Sequence, residues 1–424
     1  MVKPIEIASG VRLVNIKTDK FKTNKILITM ALPMGDEASA NALMIYLLKR
    51  SCKAYPDLTQ LNGKLDELYG ASVGAGVSKM GDAQILSLSI TCIDDKFSFS
   101  GESIVEECAE LLAGMLFNPN VKSGSFGSDN LAIEKRLLVQ SVLEEQDDKR
   151  TYAYIKCIEA MCANEPYGKP RVGTIEQIEK TKMTEVYAAW KNLLSTAIFQ
   201  ITVVGNGDAD KIAEMFREKF SKIERTPCEI STIFLKRARF NRLEEAVPVN
   251  QGKLVMGYRA GMENADDNPD AVRVMVDIFG GGTYSKLFAN VREKMSLAYY
   301  CSARFVCEKG IVVVQSGIDT EKEKAVSAEV INQLNDVRNG KFDDEVIEAS
   351  KRSIKEGLTL NTPESICAFY ASQILHSEIF TPEENAEKIE KITREEICEA
   401  AKKMSLDKIF MLAAAPVEEG GNEN

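Results

Sequence analysis

The chain repeats one pattern of predicted secondary structure about half its length apart. The stretch LNGKLDELYGASVGAGVSKMGDAQILSLSITCID begins at Leu61, and LFANVREKMSLAYYCSARFVCEKGIVVVQSGID begins 226 residues later at Leu287. Each stretch predicts a helix, a strand, a polar turn and a second strand, and the two close on Asp94 and Asp319. A repeat of this length indicates duplication of a whole domain.

A second pair of segments supports the duplication. IEKTKMTEVYAAWKNLLSTAIFQITVVGN begins at Ile178, and IEKITREEICEAAKKMSLDKIFMLAAAP begins 211 residues later at Ile389. Each predicts a helix that leads into a β-rich segment, and the helix of the second copy has a capping box at Thr393 to Glu396. In the strand ILSLSITCI apolar and polar residues alternate, which is typical of an antiparallel sheet with one buried face.

These patterns predict an α+β fold of two homologous domains, each an antiparallel sheet covered by helices. We expect an N-terminal domain over residues 1–223, a linker over 224–244, a homologous C-terminal domain over 245–416 and a disordered tail over 417–424. The linker includes Pro227 and the basic stretch LKRARFNRL, for which we weigh a solvated linker against a contact site.

Composition excludes several classes of function. The 53 basic residues are outnumbered by 63 acidic ones, giving a net charge of −10, so nucleic acid is not expected as a partner. We find neither a signal peptide nor a run of about 20 apolar residues, and therefore expect a cytoplasmic protein with no membrane partner. None of the ten cysteines forms a C-x-x-C pair, which favours reduced core thiols.

The chain contains one histidine, His376, within ASQILHSEIF. No H-E-x-x-H or H-x-x-E-H zinc motif can therefore exist in this sequence. Apolar residues at helical spacing around His376 predict a packed or half-exposed helix residue, and a catalytic or ligand role is the alternative.

A triple glycine, Gly280, Gly281 and Gly282, precedes the second copy of the repeat. Although Ser285-Lys286 follows closely, the spacing is not that of a phosphate-binding loop. We predict a flexible turn between helices, since glycines permit positive φ and close backbone approach. Such a loop could face a cavity.

The segment SKLFANVREKMSLAYYCSARF, Ser285 to Phe305, follows these glycines and resembles the C-terminal signature of the pitrilysin and insulinase family of zinc peptidases. That family includes mitochondrial processing peptidase. The segments Glu165 to Trp190 and Ile201 to Phe216 are similar to those that close the family's N-terminal domain. The resemblance covers nearly the whole chain and implies that its two domains form one half of a clamshell.

The resemblance also locates a lost metal site. KRSCKAYPD, from Lys49, resembles the family's F-K-G-T-x-x-Y-P, so that the H-x-x-E-H motif falls on Asn41 to Ile45. Asn41 and Ile45 replace the two histidines, and Met44 replaces the glutamate that activates the zinc-bound water. The third ligand falls near Glu134, which we expect to be a solvated helix residue. We therefore expect no metal, no cofactor and no catalysis by the isolated chain.

Arg292 and Tyr299 match family residues that face the zinc site from the C-terminal domain. The resemblance implies that the tyrosine hydroxyl donates to the oxyanion at the scissile carbonyl and that the arginine holds the substrate backbone. The alternative interpretation is a helix-surface arginine and a half-buried strand tyrosine.

Two functions remain open from the sequence. The first is a non-catalytic subunit of a heterodimeric zinc metallopeptidase, which binds peptide or unfolded polypeptide and contributes Arg292 and Tyr299 to a zinc-bearing homologous subunit. A Leu68-Tyr69-Gly70-Ala71 element resembles that of motif-lacking bacterial members that accompany such a homologue. The second is a non-proteolytic scaffold or interaction protein, since some bacterial relatives are associated with modification of elongation factor P. A homodimer in isolation is compatible with both.

Overall fold

The computed structural model describes residues 2–236 and 239–415, which form two compact units. The first unit contains residues 2–143, Lys169–Ser231 and Leu360–Thr381. The second contains Glu144–Gly168, the described part of Thr232–Thr359, and residues 382–415. Each unit thus includes one segment from the other half of the sequence. The boundaries that we predict from the sequence describe the two copies of the repeat, and they stay a prediction. The expected disordered tail lies outside the described residues.

Within residues 2–236 and 239–415, eleven strands form two sheets. The first sheet contains β1 (Ile5–Ala8), β2 (Val11–Lys17), β3 (Thr23–Pro33), β4 (Ser72–Met80), β5 (Ala83–Ile93) and β6 (Ile198–Gly205). The second contains β7 (Asn241–Val247), β8 (Gly252–Arg259), β9 (Tyr300–Val306), β10 (Ile311–Ile318) and β11 (Ser405–Ala414).

The helices of the described residues are α1 (Ala38–Arg50), α2 (Leu58–Glu67), α3 (Ile104–Phe117), α4 (Ser128–Asp147), α5 (Lys149–Met161), α6 (Ile175–Lys180), α7 (Met183–Thr196), α8 (Ala209–Phe220), α9 (Pro269–Gly280), α10 (Glu323–Arg338), α11 (Asp344–Gly357), α12 (Pro363–Ala371), α13 (Pro382–Lys391) and α14 (Arg394–Lys403). Leu287–Lys294 is a π-helix. The capping box predicted at Thr393 is confirmed, because its side chain accepts from the Glu396 N–H while the Glu396 carboxylate accepts from the Thr393 N–H. None of the helices in these ranges combines the length and apolar composition that a membrane crossing requires.

The two sheets have the same topology, as the repeat predicts. The first has the order β1-β2-β6-β3-β5-β4, and the second has the order β7-β11-β8-β10-β9. Strands β2 to β6 therefore correspond in order to β7, β8, β9, β10 and β11, and β1 has no counterpart. Neighbours are antiparallel except for β2 with β6 and β7 with β11, which run parallel. The sheets are thus mixed, where we expected them to be antiparallel throughout.

One face of each sheet is covered by a helix from the opposite half of the sequence. In the first unit α12 packs on β3 and β6, where Ile366 and Tyr370 contact the apolar cluster of Val14 and Val204. In the second unit α5 packs on β8 and β11, and a Cβ at Gly257 of β8 would lie only 2.8 Å from the Met161 sulfur. Glycine therefore allows the helix to approach the sheet closely.

A half-buried arginine, Arg12, fixes the exchanged segment of the first unit. The Arg12 guanidinium donates to the backbone carbonyls of Gln373, Ile374 and His376 at 2.7–3.1 Å, and its Nε donates to Gln200 Oε1 at 2.9 Å. The Gln200 amide in turn donates to the Tyr370 carbonyl at 2.7 Å. These bonds satisfy carbonyls that follow the end of α12.

A buried cluster of four charges fixes the exchanged segment of the second unit. Arg259 donates from Nη2 to Glu165 Oε1 at 2.6 Å and from Nε to Asp407 Oδ2 at 2.7 Å. Lys309 Nζ lies 2.8 Å from Glu165 Oε2. The two cations and two carboxylates of this buried group balance, which is the condition under which charges tolerate burial. Lys408, at its partly exposed margin, also bonds to Asp407 Oδ1 at 3.0 Å. We refer to Glu165, Arg259, Lys309 and Asp407 as the charge cluster.

We predict that Glu165→Gln lowers the free energy of unfolding by about 3–5 kcal/mol at neutral pH, because it leaves two buried cations with one carboxylate. Burial alone would raise the pKa of Glu165, but hydrogen bonds from Arg259 and Lys309 outweigh it and lower this pKa. The stabilisation from Glu165 is therefore present above the ordinary glutamate pKa and is lost as the pH falls through the lowered one. Urea unfolding at several pH values measures both effects.

Glu218→Gln is the matched control, since Glu218 pairs with Lys222 at 2.8 Å on the exposed surface of α8. We expect this variant to unfold at the same urea concentration as the wild type, because an exposed ion pair contributes little to stability. Equal stability of Glu165→Gln and the wild type at neutral pH would contradict the structural role of the charge cluster.

Candidate functional site

The positions of the lost metal motif lie on α1, a helix whose sequence leaves it almost no polar face. Ten of its residues are buried, from Ala38 to Leu48, and it packs against β4, β5 and α7. Alanines and leucines favour the helix, and basic residues, Lys49 and Arg50, occupy its last turn. The helix is thus built as a core element of the first unit.

Asn41 is held by a hydrogen-bonded pair of amides. Its Nδ2 donates to Gln84 Oε1 on β5 at 2.8 Å. The Gln84 amide donates to the carbonyls of Ala38 and Arg171 at 2.9 and 2.7 Å. These bonds satisfy buried polar groups that would otherwise be costly to remove from water. Met44 and Ile45, one turn further on, are fully buried in the apolar core.

This arrangement does not fit the zinc that the family's motif implies. Zinc is held by imidazole nitrogen, thiolate or carboxylate, and a catalytic site keeps one position open to water. Asn41 offers an amide already committed to Gln84, whereas Met44 and Ile45 are enclosed by apolar side chains. Among residues 2–236 and 239–415, no three His, Cys, Asp or Glu side chains are grouped so as to hold a metal ion.

Glu134, near which the third ligand was expected, is buried and not solvated as predicted. Its carboxylate accepts a hydrogen bond from Arg50 Nη1 at 2.7 Å, and its side chain is only 9% exposed. The last turn of α1 thereby connects to α4. The position serves the packing of two helices, because a buried carboxylate requires a paired cation.

An open groove of about 1070 Å³ runs beside the N-terminal end of α1. Asn41 lines it, together with α6, α7 and the end of β3. Two of its carboxylates are paired, Asp36 with Lys169 at 2.7 Å and Glu176 with Lys180 at 2.5 Å. Its volume is at the upper end of the range of ligand-binding pockets, roughly 300–1,000 Å³.

The triple glycine ends α9 and needs no left-handed backbone. Gly281 has φ −82°, and none of the three glycines has a positive φ. A Cβ at Gly280 would lie 2.6 Å from the backbone nitrogen of Ala303 on β9. The requirement for glycine here is thus close packing of the helix end on the sheet. Its flexibility stays a prediction.

Arg292 lies in the π-helix, and its guanidinium carbon sits 4.7 Å from the centre of the Phe288 ring. Its Nε is 3.6 Å from the Glu293 carboxylate, and the side chain is 44% exposed. Single π-helical turns occur often at functional sites. Ser296, four residues on, adopts a φ of +49°, a strained value for a residue with a side chain. The sequence gives no signal for either feature.

Tyr299 immediately precedes β9 and is 63% exposed. Its hydroxyl lies 3.3 Å from Asp319 Oδ1, a long and weak hydrogen bond. The hydrogen bond from Lys322 lowers the pKa of Asp319, so this carboxylate is the acceptor at neutral pH. Arg292 and Tyr299 are thus both accessible on the second unit, and their convergence on one ligand stays a prediction.

His376 and Tyr69, which the sequence analysis also names, both make hydrogen bonds that hold loops in place. His376 follows α12 in a loop rather than in a helix as predicted, because α12 ends at Ala371. Its backbone carbonyl accepts from Arg12 at 2.8 Å. Tyr69 has a φ of +59°, and its hydroxyl accepts from the Phe99 N–H at 2.8 Å. Tyr69 therefore fixes the loop that carries Phe99.

Comparison with known proteins identifies the family. A family model described as the peptidase M16 inactive domain matches residues 182–354. The chain is 31% identical over 402 residues to a "Probable inactive metalloprotease YmfF" of Bacillus subtilis, covering 94% of both chains. It is 23% identical to an "Uncharacterized zinc protease" of Rickettsia bellii, covering 77% of this chain and 78% of that one.

A solved structure has the same fold. The crystal structure of a conserved protein from Enterococcus faecalis superposes with a TM-score of 0.88 at 27% identity, covering 99% of this chain and 100% of that one. The chain belongs to the peptidase M16 family, which is the pitrilysin and insulinase family.

We predict that the isolated protein, after washing with a chelator, holds less than one zinc ion per chain and does not cleave a fluorogenic peptide. The physical reason is that Asn41, Met44 and Ile45 supply neither metal ligands nor a base for water. Elemental analysis and the peptide assay measure the two quantities. One tightly held zinc per chain together with chelator-sensitive cleavage would refute the prediction.

Proposed function

We propose that this M16-family chain is the non-catalytic subunit of a heterodimeric zinc metallopeptidase. The observation that carries the proposal is a contrast between its two units. Asn41, Met44 and Ile45 occupy the metal motif and are buried, whereas Arg292 and Tyr299 match the family's substrate-binding pair and are exposed. In this proposal a zinc-bearing homologue supplies the metal and the base, and this chain supplies the pair.

The chemistry of Tyr299 suits the stabilisation of an oxyanion. Its hydroxyl is one donor, and its bond to Asp319 at 3.3 Å is weak enough to be exchanged for a bond to a negatively charged oxygen. Stabilising a charge that develops only in the transition state raises turnover without tightening substrate binding. Tyr299 would therefore act mainly on kcat.

The chemistry of Arg292 suits holding a peptide. A guanidinium offers several donors in one plane, which fits the carbonyl oxygens of an extended backbone. The Phe288 ring beneath it restricts its orientation without using a hydrogen-bond donor. Arg292 would therefore act mainly on substrate affinity.

The first unit offers surfaces for an extended polypeptide. Its sheet ends at β4, whose register joins it to β5 from Ser72 to Met80. An edge strand can bind a peptide through backbone hydrogen bonds. The groove beside α1 would then accommodate side chains of a bound segment. We infer peptide or unfolded polypeptide as the ligand class.

We further infer a reducing compartment such as the cytoplasm. All ten cysteines are free, and most are buried as small apolar residues. Burial raises the pKa of Cys157 and Cys301 to about 12, which keeps these thiols protonated and unreactive. Free thiols in this number suit a cell interior.

A non-proteolytic interaction protein is the second candidate function. It is favoured by the surroundings of the motif positions, where Asn41 is held in an amide pair beside the groove and Met44 and Ile45 lie in the apolar core. Such a protein would use the same peptide-binding surfaces but would need neither Tyr299 nor Arg292 for its activity.

We predict that, in a complex with a zinc-bearing homologue, Tyr299→Phe lowers kcat by roughly 10²–10³-fold, because one oxyanion donor is lost. Arg292→Ala should raise KM more than it lowers kcat. Steady-state peptide cleavage by the reconstituted complex measures both. A homologue encoded next to this gene is the first partner to test.

Two variants serve as controls. Tyr187→Phe removes a hydroxyl from α7, and Arg352→Ala removes an exposed guanidinium from α11. Both should leave cleavage within about twofold of the wild type, and all four variants should keep the wild-type melting temperature within a few degrees. Unchanged kcat and KM in Tyr299→Phe and Arg292→Ala would assign these two residues a structural role and favour the interaction protein.

A further inference from the structure

The duplicated sheets differ at one edge. In the first unit β1 pairs with the outer side of β2, with Ile5 opposite Leu13. The corresponding strand of the second unit, β7, pairs with β11 alone and ends the sheet. Among the described residues, no strand takes the position that β1 occupies in the first unit. The backbone groups on the outer side of β7 are therefore left without a strand neighbour.

Side chains on β7, which ends its sheet, are more exposed than those on β2, which is covered by β1 at its edge. On β2, Val11 and Leu13 are at most 1% exposed. On β7, Leu243 is 37% exposed, and Phe240 just before the strand is 60% exposed. An open edge with exposed apolar residues is a surface for strand pairing.

The sequence of β7 is complementary to itself when two copies run antiparallel. If Leu243 lies opposite Leu243 of a second copy, Arg242 lies opposite Glu244, Asn241 opposite Glu245, and Phe240 opposite Ala246. Over residues 241–245 each position thus meets an opposite charge, a hydrogen-bonding partner or, for Leu243, an apolar side chain, whereas Val247 at the end of the strand lies opposite Arg239. Directly opposite residues of this kind stabilise a pair of strands.

We propose that β7 is the dimerisation strand of this protein, and that two copies join edge to edge through antiparallel β7 strands centred on Leu243. The two five-stranded sheets then form one continuous sheet across a twofold axis. The occupant of the open edge is a second copy of this chain.

The charges on β7 make the pairing selective. Arg242 already bonds to Glu244 at 3.2 Å and to Glu323 at 3.0 Å, so it is held on one face of the strand. A strand with like charges at these positions would repel β7, whereas a second β7 brings a carboxylate to Arg242 and a cation to Glu244.

The dimer leaves the other end of the sheet free. In the order β7-β11-β8-β10-β9, β7 and β9 are the two terminal strands, and Tyr299 immediately precedes β9. Pairing through β7 does not require a zinc-bearing partner.

A seven-residue strand is only about 23 Å long, and the contact is thus at the small end of specific interfaces. Dimerisation should therefore depend on protein concentration.

The first test measures the mass of the full chain by light scattering and sedimentation over a range of concentrations. The wild type should pass from monomer to dimer as concentration rises. Glu244→Arg places a cation opposite Arg242, so it should remain monomeric. Arg242→Glu should also remain monomeric, and an equimolar mixture of these two variants should form a 1:1 dimer, because each cation then meets a carboxylate.

Thermal melting of the separate variants shows whether they are folded, and recovery of the dimer on mixing requires folded chains. A wild type that is monomeric at every concentration overturns the proposal. So does a wild-type dimer that both single variants retain, since its interface must then lie elsewhere.

A cross-link tests the register. In Leu243→Cys the two thiols lie across the twofold axis, where directly opposite Cβ atoms are about 4.5–5.5 Å apart and within reach of a disulfide after small adjustment. Mild oxidation should join two chains. Leu235→Cys is the matched control, because Leu235 is similarly exposed at 42% but lies eight residues from the axis. Equal cross-linking of both variants overturns the proposed register.

Discussion

The salt bridge between Arg259 and Glu165 holds residues 144–168, from the first half of the sequence, against the sheet of the second unit. Both side chains are almost fully buried, and an unpaired charge in such a place would cost several kcal/mol. Because Glu165 comes from the first half of the sequence, the second sheet cannot bury Arg259 until residues 144–168 dock on it. Arg12 plays the equivalent part in the first unit, where it binds carbonyls that follow α12. The duplicated halves are thus interdependent, and sequence repeats and compact units divide the chain differently.

The alternation and repetition of residue types in the sequence correctly predicted single strands and the common topology of the two sheets. Alternation in ILSLSITCI identified β5, and the repeats identified the common topology, because a strand with one buried face needs a period of two. The parallel pairing of β2 with β6 was not predicted, since it joins segments more than 180 residues apart. The exchange of α5 and α12 also leaves no local signal, because an apolar helix face does not identify the sheet that will cover it.

At the candidate site, too, some features follow from residue identity and others depend on tertiary contacts. Residue identity alone excludes an H-x-x-E-H motif, since the chain contains a single histidine, and the assignment of the motif positions to Asn41, Met44 and Ile45 stays a prediction. The sequence could not identify the partners of these residues. Gln84 meets Asn41 only because β5 lies beneath α1, and Glu134 is buried only because Arg50 reaches it from the last turn of α1. Tertiary contacts of this kind depend on the fold and not on spacing.

The residues predicted at the motif positions and the predicted pair on the second unit differ in how much they contribute to the stability of the fold. Asn41, Met44 and Ile45 are buried, so their shapes are constrained by packing whether or not the chain has a function. Tyr299 contributes little to stability, because it is mostly exposed and makes one long hydrogen bond. Between Arg292 and Tyr299 the backbone also contains Ser296 at a strained, positive φ. A strained segment that presents an exposed arginine and tyrosine is costly to the fold, and the ligand binding that we propose for this segment would account for that cost.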